Sequence, residues 1–165
     1  EGGMIKIAET GTCALLQPHH VSRGKLFVRE RFDNFKFVDL DLVTDCIERT
    51  RFPVPEAENY QGTDDLPGLA RAADLIGQLG DPEYLHKIPA LFYEFEELGI
   101  NQIMGCKSPG ELRRGYAHFF WGVVHKYVDD GVKLLQVTQE GKEWISRLHS
   151  HVFECEHFIL GDDKK

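Results

Sequence analysis

Residues 69–82, LARAADLIGQLGDP, decide the fold. Leu69, Ala73, Ile76 and Leu79 recur every three or four positions, which lines them up on one face of an α-helix. Gly80 ends the repeat, and Asp81-Pro82 opens the next segment. Upstream, Asp64 or Asp65 is placed to cap the helix, with Pro67 in the first turn, where a missing N–H costs nothing. Asp74 is the residue that does not fit, a carboxylate set among small and apolar neighbours. Its bland explanation is an ion pair with Arg71, one turn back, or with a lysine from another helix.

The same periodicity extends in both directions. Residues 21–32 carry a loose amphipathic pattern through Val21, Leu26, Val28 and Phe32. Asp39 or Asp41 caps a helix to about Thr50 with Leu40, Val43 and Ile47 at helical spacing, and the prolines and glycine of residues 51–65 break it. After Asp81-Pro82, Leu85, Ile88, Leu91 or Phe92, Phe95 and Leu98 face inward, with Pro89 expected to kink the helix. Ser108-Pro109-Gly110-Glu111 is a capping box. It starts a helix to about Tyr127 that carries Leu112, Tyr116, Phe119, Phe120, Val123 and Val124. Asp129-Asp130-Gly131 reads as a turn, residues 132–137 as a short helix or a strand, and a final helix from about Gln139 carries Trp144, Ile145, Leu148 and Val152. The reading is all-α, with Leu69, Ala73, Ile76, Leu91, Phe95, Phe120 and Val124 buried together.

Composition narrows the function classes. At 165 residues, 42% hydrophobic and 28% charged, the chain suits a single globular domain. Glu1, Gly2 and Gly3 ahead of Met4 read as a cloning remnant, leaving residues 4–160 as one helical domain. A net charge of −8 with scattered basic residues repels phosphate backbones and anionic lipid, which argues against nucleic-acid and membrane partners. Cys13, Cys46, Cys106 and Cys155 are far apart and form no C-x-x-C motif, the usage of reduced thiols in a cytoplasmic protein.

Residues 43–55, VTDCIERTRFPVP, followed by LPGLARAADLIGQLGDPEYLHKIPALFYEFEE over 66–97, are similar to the later helices of HD-domain metal-dependent phosphohydrolases and related cyclic-nucleotide phosphodiesterases. The resemblance covers roughly residues 19–98. It implies an HD-like orthogonal helix bundle in which Asp74, within A-D-L, is the last ligand of a metal site. The family's other ligands are a histidine and an adjacent His-Asp pair, and this chain contains no His-Asp dipeptide. It is then either a piece of a longer HD protein or a degenerate relative. His19-His20 lies where the family often has histidines, which makes His19 and His20 candidate co-ligands of Asp74. Their bland reading is a solvated pair in a loop.

The ion implied by the resemblance is a divalent metal (Mn, Mg, Fe or Zn) that activates water against a phosphate ester or nucleotide. One carboxylate cannot hold such an ion alone. Adjacent residues on a helix point about 100° apart, so His19 and His20 converge only from a loop, which Pro18 favours. A second cluster, His149, His151, Cys155 and His157, has zinc-like donors, and its bland reading is an amphipathic helix with Cys155 packed inward. His118 and His125 read as helix-face residues flanking an aromatic stripe.

Three functions therefore compete. They are an HD-type phosphohydrolase acting on a small phosphorylated metabolite or nucleotide, a non-catalytic helical binding or signalling module on that scaffold, and a zinc-binding protein. A homo-oligomer is compatible with all three.

Overall fold

The structure, a computed structural model, describes the backbone of residues 11–162 and the side chains of residues 11–157; the first ten residues, including Glu1–Gly3, lie outside the described part. Every regular element among the described residues is helical. A 3₁₀ segment, Cys13–His19, leads into α1 (His20–Phe32), followed by α2 (Leu40–Arg49), α3 (Leu66–Leu79), α4 (Tyr84–Glu97) and the short α5 (Ile100–Met104). After these come α6 (Pro109–Phe119), a π-helical turn (Phe120–Val124), α7 (His125–Leu135) and α8 (Gln139–Asp162).

Three expected caps are in place. Asp39 accepts from the Leu42 N–H, Asp65 from the Gly68 N–H and Ser108 from the Glu111 N–H, each satisfying a donor that the first helical turn leaves open. Helix α3 packs against α2 and α7, α1 against α2, and α6 against α8 and α4. The core gathers Leu75, Ile76 and Leu79 of α3, Leu85 and Ile88 of α4, and Tyr116, Phe120, Val124 and Val128 of the α6–α7 rod. Leu148, Val152 and Cys155 of α8 complete it.

The structure corrects the sequence reading in three places. The buried arc of α3 is Gly68, Arg71, Ala72, Leu75, Ile76 and Leu79, so the stripe is turned by one residue: Leu69 is only half-buried and Ala73 is exposed. Periodicity misplaced it because alanines flank the stripe on both sides and the arc includes an arginine that no hydrophobicity scale places inside. Likewise Phe92 is the buried residue of its pair, while Leu91 and Phe95 are half-buried.

Asp129-Asp130-Gly131 is not a turn, because α7 runs through it. Gly131 serves packing instead. A Cβ there would lie 2.8 Å from the Ala72 Cβ, so its absence lets α3 and α7 cross closely. The ambiguous residues 132–137 finish α7 and enter the turn before α8. The π-helical turn is the third correction. Its extra residue per turn shifts the register, with Phe120 and Val124 in the core and Val123 and Trp121 outside.

Candidate functional site

Helix α3 presents two faces with different chemistry. Inward, Arg71 is 1% exposed, and its guanidinium donates to the Tyr60 carbonyl at 2.6 Å and the Gly62 carbonyl at 2.8 Å. Its Cζ stands 4.1 Å from the centre of the Tyr127 ring. Burial, with Arg49 nearby, pushes the Arg71 pKa below its usual value. Outward, Asp74 is half-buried and its Oδ1 accepts from the Gln78 amide at 3.1 Å. The expected Arg71–Asp74 pair does not form, because the arginine is turned into the core.

A network behind Arg71 fixes the chain that enters α3. Glu48 accepts from Arg51 Nε at 2.7 Å, from Lys25 at 2.9 Å and from the Tyr60 hydroxyl at 2.8 Å. The Arg51 bond, with help from Lys25 and Tyr60, outweighs burial and lowers the Glu48 pKa to about 2. Arg49 donates to the Gly62 carbonyl and to Asp65, Thr63 to Asp130 and Tyr127 to Gln61. Residues 60–65 are thereby tied to α2, α3 and α7.

His19 and His20 are both exposed, and the His20 ring nitrogen Nδ1 meets the Gln17 carbonyl rather than another side chain. Among the described residues no three His, Cys, Asp or Glu side chains are grouped so that they could hold a metal ion. His19, His20 and Asp74 are therefore not brought together.

The C-terminal quartet is dispersed around α8. His151 and Cys155 are buried, with His151 Nδ1 2.8 Å from the Leu79 carbonyl, whereas His149 lies against Trp121 and His157 against Phe153, both at the surface. Cys155 is packed inward, and burial raises its thiol pKa despite Arg113. All four cysteines are free.

What does surround the outward face of α3 is an apolar groove of about 350 Å³. Leu69, Ala73 and Gly77 form one wall, Leu134 and Leu135 of α7 the other, and Trp144 of α8 closes one end. Ile76 and Gly131 also line it, at the place where the two helices come closest. Leu134 is 58% exposed, and a Cβ on Gly77 would meet nothing within 4 Å, so the groove is open. The Arg147 guanidinium stands 4.6 Å from the Trp144 ring centre. Asp74 follows the wall residue Ala73 in sequence but is not itself among the lining residues, and its carboxylate is bonded to Gln78 on the same helix. This arrangement offers apolar contact area, with the Asp74 carboxylate on the same helix but outside the lining.

An all-helical domain with an open interhelical groove is the class that these features define. The chain belongs to the Npun_R2479-like family, whose model matches residues 1–158. Neither the curated proteins nor the solved structures yielded a match to it. Among the described residues no helix is long and apolar enough to cross a membrane.

Sequence reasoning located Asp74 but missed the groove, whose α3 wall lies more than fifty residues from the α7 and α8 residues that complete it. The available signal was the exposed pair of small residues, Ala73 and Gly77, one turn apart.

Proposed function

We propose that this chain is a non-catalytic binding module whose α3–α7–α8 groove accepts an amphipathic helix of a partner protein, with a lysine or arginine of that helix beside Asp74. The supporting observation is the open apolar groove. Asp74, next in sequence to its wall residue Ala73 and bonded to an amide, not a cation, is the carboxylate assigned to the partner's charge. Small residues at 73 and 77 admit close approach of another helix, and large apolar residues on the facing wall supply contact area. A net charge of −8 favours a basic partner. An HD-like orthogonal bundle that keeps the helices without the ligand set is the scaffold this reading assumes, in a cytoplasmic setting.

The test uses a synthetic amphipathic peptide with leucines at i, i+4 and i+7 and a lysine along one edge. Trp121→Phe leaves Trp144 as the sole tryptophan reporter. Binding predicts a saturable change in Trp144 emission, which Gly77→Leu abolishes by filling open space without a clash. No saturable change, or one that Gly77→Leu leaves intact, refutes the reading.

The phosphohydrolase reading has one observation in its favour: the Asp74 carboxylate faces outward and has not been taken by Arg71. It requires turnover of a general phosphate ester or a nucleotide with added Mn²⁺ or Mg²⁺ that Asp74→Ala eliminates. The binding-module reading predicts no Asp74-dependent turnover.

A further inference from the structure

A cleft of about 590 Å³ lies on another face of the molecule, where α5 folds back beside the end of α4. Gly99 and Gly105 flank α5 with φ of 71° and 70°, a left-handed backbone that side chains rarely adopt, so the chain reverses tightly at both ends. The reversal buries Asn101 to 1% exposure. Its Nδ2 donates to the Phe92 carbonyl at 2.8 Å and to Glu96 Oε2 at 2.9 Å, while its Oδ1 is buried without a partner. A buried acceptor left open beside a cleft is costly unless something donates to it. The cleft wall also carries the Phe92 and Tyr93 rings, 5.7 Å apart, with Tyr93 68% exposed.

We infer that this cleft binds a small organic cation, an alkylammonium group that donates toward Asn101 Oδ1 and Glu96 while its charge lies against the Tyr93 ring. The lining favours that class on two counts. Asn101 and Glu96 are acceptors, and the electron-rich faces of Phe92 and Tyr93 attract cations and not anions. Lys107 is the only cationic residue of the lining; it is exposed and opposes the ligand's charge, which gives the inference a test of sign. Cys106, half-buried with its N–H donating to the Asn101 carbonyl at 3.0 Å, lines the same cleft and supplies a chemical reporter.

The experiment titrates the whole chain with n-butylammonium, n-butyrate and n-butanol, following amide resonances by NMR. Site-resolved alkylation of Cys106, with exposed Cys13 as internal control, runs in parallel. For a ligand this small the dissociation constant should be on the order of millimolar. Butylammonium is expected to shift the resonances of Tyr93, Glu96, Asn101 and Cys106 saturably and to slow alkylation of Cys106 but not of Cys13. Tyr93→Ala, at an exposed position, should weaken binding about threefold or more, and Lys107→Gln should tighten it. Butyrate or butanol binding as well as butylammonium, Lys107→Gln weakening the cation, or no saturable shift at these residues would overturn the inference.

Discussion

The Arg71 guanidinium rests 4.1 Å from the centre of the Tyr127 ring and caps two loop carbonyls, so the one cation of α3 is committed to the core. Asp74, one turn along the same helix, is half-buried and left to the Gln78 amide, next in sequence to the groove residue Ala73. The functional reading follows from that separation.

Arg71 is predicted to be a structural residue. Arg71→Met keeps much of the volume but removes the Arg71 donor from the Tyr60 carbonyl and leaves the Gly62 carbonyl with Arg49 alone. It should lower unfolding stability by about 2 kcal/mol or more, measured by urea denaturation. Asp74→Ala, at a half-exposed site with one amide contact, should stay within about 0.5 kcal/mol of the parent. Equal effects of the two changes would mean that Arg71 and Asp74 act as a pair after all.

Two glycines on facing helices should respond to the same substitution with opposite sign. Gly77→Ala adds a methyl into open space within α3 and should stabilise by about 0.5–1 kcal/mol through the unfolded chain and helix propensity. Gly131→Ala gains the same propensity but drives its Cβ to 2.8 Å from that of Ala72, and should destabilise by about 1–2 kcal/mol net. Thermal melts of the two variants decide the point, and a stabilised Gly131→Ala would show that the α3–α7 crossing is looser than described.

Glu48 gives the protein an acid-sensitive limb. Its folded pKa, held at about 2 chiefly by Arg51, lies below the ordinary carboxylate value of about 4.5. The folded state therefore binds the proton more weakly than the unfolded chain. The contribution is complete above about pH 4.5 and is lost as the pH falls toward 2. With the side chain 21% exposed, it is on the order of 1–2 kcal/mol after allowance for solvent screening. Glu48→Gln should melt below the parent at neutral pH, and the gap should close between about pH 4.5 and pH 2. A gap that persists unchanged to pH 2 contradicts this assignment.

The legible parts of the sequence were those written in local chemistry. Asp39, Asp65 and Ser108 each cap the helix that follows them, because a side-chain oxygen at that position satisfies donors of its own first turn. The all-helical class followed from periodicity for the same reason.

What failed depended on distant partners. Asp129-Asp130-Gly131 has turn composition, yet Gly131 is in α7 because Ala72 crosses there. Arg71 read only as a possible ion-pair partner of Asp74, since nothing near it in sequence announces the Tyr60 and Gly62 carbonyls or the Tyr127 ring. The π-helical turn at Phe120–Val124 moved Val123 out of a stripe that regular α-spacing would bury. For the site, Asp74 was legible as an anomaly, but the groove is built from segments that are not contiguous in sequence.

The most direct test of the proposed role is a charge swap at Asp74, read as peptide affinity through Trp144 emission. Two amphipathic peptides that share their apolar face and differ only in a lysine or a glutamate edge are titrated against the parent and Asp74→Lys. The parent should prefer the lysine-edged peptide by about threefold, as expected for one exposed charge pair, and Asp74→Lys should reverse that preference. The same preference in both proteins, or no binding of either peptide to the parent, would contradict the assignment of the α3–α7–α8 groove as a partner-helix site.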